Sequence, residues 1–383
     1  MPAVIFFARL IAMYTMRTRT ILKTAGAGAA AAAFLFGCAL LFSNSPSTEE
    51  SVTKANNFSD GIFHNIEPTT VIKPGKAWSA TYEFLFKGHR DRSPGQPLPV
   101  VSLSGYAQQQ ASPELRFAWL GHAAVLIELA GKRLLIDPAF SERASFFPWM
   151  GPKRFQPPPL PAREFPALDG VLISHDHYDH LDEATIRALA DKTAFFHVPL
   201  RVGLILESWG IPKSKIIEYA WWDEHNIDGL TIAAVPARHF SGRSLFNRFS
   251  TLWCSWVVLD ERHRIYHSGD TGRTSSFKDI GAKYGPFDVA FVKMSAYHDN
   301  WPDIHLNPEE AVSAFLDLKG AALVPIHWGV FDLSTHSWYE PIERLVKAAE
   351  KAQADILTPR MGELVVPGAY ENTYWWRSFI PGQ

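Results

Sequence analysis

The residues His175-Asp176-His177-Tyr178-Asp179-His180 place three imidazoles and two carboxylates within six positions. They follow directly on Gly170-Val171-Leu172-Ile173-Ser174, an apolar run that predicts a buried strand. The pattern His-x-His-x-Asp-His supplies four candidate metal ligands, His175 and His177 for one ion and Asp179 and His180 for another. Imidazole and carboxylate without thiolate suit zinc, with iron or manganese as alternatives. A single histidine in such a loop would more readily be a hydrogen-bonding residue. Three histidines and an aspartate at ligand spacing point to metal binding.

Four residues do not close two metal sites, and the remaining ligands need equally rigid supports. Three places qualify, each a β-rich run that ends on a ligand-type residue. His239 follows the apolar stretch Leu230 to Val235. Asp270 ends the run that starts at Arg264 and breaks into Gly269-Asp270-Thr271-Gly272. His327 ends Ala321 to Ile326.

This order of motifs resembles the metallo-β-lactamase superfamily. The resemblance implies that His175, His177 and His239 hold one ion, that Asp179, His180 and His327 hold the other, and that Asp270 bridges both. It implies two zinc ions sharing an activated water, the natural nucleophile for a phosphoryl or acyl centre. Di-iron redox relatives of this fold usually carry Glu where this chain has His177, so the histidine favours zinc and hydrolysis.

A narrower likeness rests on Trp119-Leu-Gly-His-Ala, Leu135-Ile-Asp-Pro, Gly151-Pro-Lys-Arg-Phe, Gly285-Pro-Phe-Asp, Asn307-Pro-Glu-Glu-Ala and Ile326-His-Trp-Gly. Together these resemble the N-acylphosphatidylethanolamine phospholipase D family and its bacterial relatives. That likeness implies a phosphodiester cut that releases an N-acylethanolamine and leaves phosphatidic acid. It adds His305 to Asp179 and Asp270 as a catalytic candidate, poised to bond a phosphate oxygen or to protonate the leaving alcohol. The insertion around Phe146-Phe147-Pro148-Trp149 and the loop after His239 depart from the animal enzyme, which bears on head-group and acyl specificity.

The elements that must carry these residues can be read along the chain. Leu115–Leu120, Ala123–Leu129 and Arg133–Asp137 read as successive strands, with Gly131-Lys132 as a hairpin turn. Leu181 to Asp191, Pro308 to Leu318 and Pro341 to Ala352 have helical spacing, the first with Asp182 as its cap. Strands with interspersed helices fit an α/β (α+β) protein, a four-layer αββα sandwich whose loops meet at one edge. Phe140 to Pro166 is a long insertion dense in Pro and Phe, and Phe146, Phe147 and Trp149 are its candidate acyl-chain contacts. Lys153, Arg154, Arg238 and Arg243 are candidates for phosphate. His122 and Asp137 are candidates for supporting a ligand. Trp221-Trp222 and Trp375-Trp376 are placed either in an amphipathic belt or in the core.

The chain has 383 residues, 47% of them hydrophobic, and a formal charge of −2. Residues 1–48 carry four basic groups and no acid, leaving 33 basic and 39 acidic residues in the remainder. A mildly acidic body offers no electrostatic footprint for nucleic acid. Ala25 to Phe42 is uncharged and as a helix spans roughly 27 Å, close to a bilayer core of about 30 Å. Arg17, Arg19 and Lys23 before it predict the catalytic body on the extracytoplasmic side, with an uncleaved anchor the best fit and a cleaved signal peptide its close competitor. The expected organisation is a targeting segment at 1–44, a linker and extension packing on the core at 45–113, and a hydrolase domain at 114–383. Regular structure is expected to begin near Leu115, with residues 43–60 as a linker. Cys38 and Cys254 imply neither a disulfide framework nor thiolate ligands, and Cys254 reads as a small core residue.

The leading reading is a zinc phosphodiesterase acting on phospholipid at a membrane surface. A hydrolase of a small ester, lactone or soluble phosphodiester is the second. An envelope protein that binds metal or lipid without catalysis is the third.

Overall fold

Both faces of the first long strand are apolar and buried. Phe117 and Trp119 face one way and Ala118 and Leu120 the other, all shielded from solvent. A strand covered on both sides belongs to an inner layer. The computed structural model describes Val52 and residues 55–86, 91–244 and 246–382. The expected anchor at 25–42 lies outside the described residues. No helix among those described is long and apolar enough to cross a membrane.

A small hairpin, β1 (Phe58–Ser59) and β2 (Ile62–Phe63), and helix α1 (Ala77–Phe86) precede the main sheets. One sheet contains β3 (Arg116–Gly121), β4 (Ala124–Leu129), β5 (Lys132–Ile136), β6 (Leu168–Leu172), β7 (Thr193–Pro199) and β8 (Ile216–Tyr219). The facing sheet contains β9 (Glu224–Ile227), β10 (Leu230–Val235), β11 (Ser255–Leu259), β12 (Arg264–His267), β13 (Phe287–Lys293) and β14 (Gly320–Ile326). The short β15 (Leu364–Val365) returns to flank β3. In each sheet an antiparallel part gives way to parallel strands, β5 to β8 in one and β12 to β14 in the other.

Helices α2 (Glu183–Leu189) and α3 (Val202–Ser208) cover the outer face of the first sheet, where Ile186, Leu189, Val202 and Leu206 join its apolar cluster. Helices α4 (Ser276–Lys283), α5 (Pro308–Asp317) and α6 (Glu340–Ala352) cover the second. Asn307 starts α5 with a reciprocal capping box to Glu310. Between the sheets, Phe117 meets Phe291 edge-to-face at 4.9 Å and Trp119 stacks on Trp328 at 5.4 Å. This is the four-layer αββα arrangement of the metallo-β-lactamase fold.

Several local expectations shift. The hairpin turn is Ala130-Gly131, both at positive φ (51° and 74°), because the twist of an antiparallel pair favours left-handed central residues. Asp182 stands at the N-cap of α2 but its carboxylate accepts from Ser141 and Thr185 instead of capping the backbone. Ordered structure starts well before Leu115, with Val52 and Phe63 buried in one apolar cluster with Trp253. The tryptophans do not form a belt: Trp253, Trp256 and Trp376 are buried, and Trp221, Trp222 and Trp375 pack on the core.

Candidate metal centre

Four loops meet at one edge, and each leaves the C-terminal end of a strand. His175 to His180 follow β6, His239 follows β10, Asp270 follows β12 and His327 follows β14. Loops at the carboxyl ends of strands are where open α/β sheets build their sites. The two sheets touch there through main chain. A Cβ on Gly269, which has φ +53°, would lie 2.5 Å from the Ser174 Cβ and 3.0 Å from the Cys254 carbonyl oxygen. Only glycine permits that approach.

Hydrogen bonding decides which ring nitrogen of His175, His180 and His239 is free. His239 Nδ1 lies 3.0 Å from the Ile304 carbonyl, which only accepts, so Nδ1 carries the proton. Ser174 Oγ donates to Asp137 Oδ2 (2.6 Å) and therefore accepts from His175 Nδ1 (2.9 Å). Both rings thus turn an unprotonated Nε2 inward, His175 at 2.9 Å and His239 at 3.3 Å from His177 Nδ1. A proton on His177 Nδ1 could serve only one of these two nitrogens well, whereas a cation among the three would satisfy them all.

A second set lies alongside. His180 Nδ1 donates to Asp137 Oδ2 (2.8 Å), leaving its Nε2 free. His180 Nε2, His327 Nε2 and Asp270 Oδ1 are all buried without a hydrogen-bond partner. Asp179 Oδ2 lies 3.5 Å from His180 Nε2 and 3.4 Å from His327 Nε2. Asp270 spans both sets. Its Oδ1 is 3.1 Å from His327 Nε2 and 3.5 Å from His180 Nε2, while Oδ2 is 3.8 Å from His239 Nε2. Orphaned polar atoms of this kind are what a pair of cations would satisfy.

The electrostatics agree. Burial, then the neighbouring imidazoles of His180, His177 and His239, hold His175 well below its ordinary value, so it stays neutral and able to ligate. His239 is likewise depressed, chiefly by burial. Burial would raise Asp270, but His327, Lys293 and His180 keep it well below the usual carboxylate range. Burial also opposes protonation of His180, yet Asp179, Asp270 and Asp137 outweigh it and push that imidazole up. The pocket attracts positive charge.

The supporting residues explain the rigidity. Asp137 serves the Ser174 backbone N–H, the Ser174 hydroxyl and His180 at once. His122 Nε2 bonds Asp179 Oδ2 at 2.9 Å, and its carbonyl accepts from the His327 N–H at 2.8 Å. His122, Asp137 and His327 all have positive φ (56°, 45° and 69°), backbone strain gathered at the site. Asp176 is not turned inward: it accepts from Gly242 N–H (2.7 Å) and the Thr251 hydroxyl (3.1 Å).

The four expected phosphate contacts are differently employed. Arg154 is buried and donates to the carbonyls of Ser141, Ala139 and Gln156, so it is a structural cation. Arg243 donates to the carbonyls of Asp176 and Leu181 and lies 3.9 Å above the Tyr178 ring, which ties down the metal loop. Lys153 pairs with Glu142 at 2.7 Å on the surface. Arg238 is also committed, to Thr69, the Arg273 carbonyl and Asp303.

Other residues had no local sequence signal. Asn65 clamps the main chain of His239, accepting from its N–H at 3.0 Å and donating to its carbonyl at 2.7 Å. Arg248 lines the cleft over the metal cluster with Ile72, Phe240, Trp301 and His305. Its guanidinium sits 5.1 Å above Phe240 and makes no ion pair among the described residues. His305 Nδ1 lies 3.5 Å from Asp270 Oδ2 and is also hydrogen-bonded by Lys293 Nζ. Lys293 is fully buried, and burial lowers its ammonium to about 8 against the pull of Asp270 and Asp179.

At the rim, Phe146 (54% exposed), Phe147 (40%) and Trp149 (70%) form an open aromatic cluster. Phe146 reaches to 6.5 Å from Tyr178, between two candidate ligands in sequence.

A family profile described as the Beta-lactamase superfamily domain matches residues 132–328. An uncharacterised protein of Mycobacterium tuberculosis is 43% identical over 332 residues, covering 84% of this chain and 87% of that one. An N-acyl-phosphatidylethanolamine-hydrolyzing phospholipase D of Caenorhabditis elegans is 36% identical over 264 residues, covering 64% of this chain and 74% of the relative. Among solved structures, a metallo hydrolase of the archaeon Ignicoccus hospitalis superposes with a TM-score of 0.50 at 23% identity, over 66% of this chain and 97% of the other.

Proposed function

Because this chain belongs to the beta-lactamase superfamily, as a metal-dependent hydrolase with N-acyl-phosphatidylethanolamine-hydrolysing relatives, we propose that it is a dinuclear zinc phosphodiesterase of phospholipase D type. Its substrates are N-acylphosphatidylethanolamine-like phospholipids, cleaved to an N-acylethanolamine and phosphatidic acid. The observation that carries the reading is Asp270, whose two oxygens face the two ligand sets on either side. His175, His177 and His239 would hold one zinc, and Asp179, His180 and His327 the other. When bound, such a pair supplies an activated water and a Lewis acid for the phosphoryl oxygens.

The protein's own groups do the rest. The tautomers set by Ile304, Ser174 and Asp137 keep the ligand nitrogens deprotonated. Arg248, unpaired and facing the cleft, is placed to take a non-bridging phosphate oxygen. His305, 3.5 Å from Asp270, would protonate the leaving alcohol. The aromatic rim of Phe146, Phe147 and Trp149 is suited to acyl chains and to a lipid surface, since aromatic side chains settle at such interfaces. A helical anchor at Ala25 to Phe42, with the body on the extracytoplasmic side, would hold that rim near its substrate.

Zinc-loaded protein incubated with N-acylphosphatidylethanolamine vesicles, with products identified by mass spectrometry, tests the reading. N-acylethanolamine and phosphatidic acid should form and should cease with chelator. Turnover of short esters with none of the vesicle lipid would replace the phospholipid reading by that of a small-ester hydrolase.

A further inference from the structure

Lys293 ends β13, a strand whose remaining residues are almost wholly apolar, and its side chain is completely buried. Burying an ammonium is costly unless its protons are used. One Nζ proton goes to the Ser295 carbonyl at 2.8 Å, and Nζ is also bonded to His305 Nδ1. An ammonium has three donors and no acceptor, so His305 Nδ1 must be the acceptor. The His305 ring then carries its proton on Nε2. Asp270 Oδ2, 3.5 Å from the same Nδ1, would accept from a protonated Nδ1, but the closer lysine ammonium can only donate and takes that position.

We propose that Lys293 is a positioning residue and proton reserve for His305, and that together they protonate the alcohol leaving the phosphodiester. The idea rests on the hydrolase reading above. As the P–O bond to the head group breaks, the Nε2 proton passes to the departing oxygen and a lysine proton passes to Nδ1. Imidazole ends neutral as its other tautomer, lysine ends as the free amine, and the alcohol leaves neutral. Water supplies the new phosphate oxygen; the proton it sheds goes to solvent, and solvent restores the ammonium.

Leaving-group dependence separates this from a structural role. Lys293→Met should lower turnover of an alkyl head-group diester about a hundredfold, the usual weight of general acid catalysis. Bis-p-nitrophenyl phosphate, whose leaving group needs no proton, should slow by less than about threefold with the same protein. Lys293→Arg, which keeps a donor but does not release its proton, should recover little of the alkyl activity. Equal losses on both substrates with zinc content unchanged would overturn the proposal. The tautomer is read without any variant or turnover: in zinc-loaded wild-type protein, 15N-histidine NMR should show His305 protonated on Nε2. A proton on Nδ1 overturns the pairing even if Lys293→Met does not fold. Wild-type protein inert towards both diesters would instead remove the hydrolase reading, while the NMR result still decides the Lys293–His305 bond.

Discussion

The floor and the rim of the cleft are built in opposite ways. On the floor several donor atoms are oriented by another group, as Asp137, Ser174, the Ile304 carbonyl and Asn65 each fix one ligand or its backbone. On the rim, Phe146, Phe147 and Trp149 lie against one another and stand exposed to solvent. Chemistry at the floor tolerates little displacement, since a reacting group out of place by an ångström is costly. A rim that met fluid acyl chains, as proposed, would gain nothing from such precision. On that reading the floor sets the reaction type and the rim the substrate.

Substitutions on either side test that division. Asp270→Ala or His177→Ala should reduce turnover of every substrate by about a thousandfold or more, beyond the 10–100-fold typical of supporting residues. Circular dichroism should remain native, and near-normal turnover in zinc-verified Asp270→Ala would remove the bridging role. Asn65→Ala should lie between the two regions in effect. It touches no metal site directly, yet freeing the His239 backbone should cost about tenfold in zinc affinity, read by competition with a chelator. Phe147→Ser with Trp149→Ser should slow vesicle turnover about tenfold and leave a water-soluble diester unchanged; equal losses would mean that the rim supports the floor.

The smallest effect is expected far from both, at Glu218 on the edge strand β8. Burial raises its carboxyl to about 7 from an ordinary 4.5, against hydrogen bonds from the Gly203 and Arg201 backbones. Between those values the folded state holds the extra proton, so stability falls as pH rises through that window. Glu218→Gln should remove that slope. Its unfolding free energy relative to wild type should increase by about 1 kcal/mol between pH 4.5 and pH 8, measured by urea titration, with turnover unaffected.

The sequence made the floor legible because its ligands are short polar motifs ending apolar runs, and each such run became a strand. The αββα layering followed from the same alternation. What stayed hidden was non-local. Asn65 meets His239 across 174 residues, and nothing in the string around it marks a clamp. Nothing in the string around Lys293 marks it as buried, yet the parallel pairing of β13 with β12 and β14 carries it inside. Arg154 and Arg243 were misleading for the converse reason: a basic residue beside a site resembles a phosphate ligand, but these two satisfy loop carbonyls that have no strand partner. Arg248, six residues from Gly242 in an irregular loop, is placed by tertiary contact alone.

Gly269 carries a consequence for metal use. Its main chain rests on the Ser174 side chain, so the loops that carry Asp270 and His175 are seated directly on each other. Any side chain at 269 would wedge them apart, and the pocket would lose the convergence on which the proposed metal pair depends.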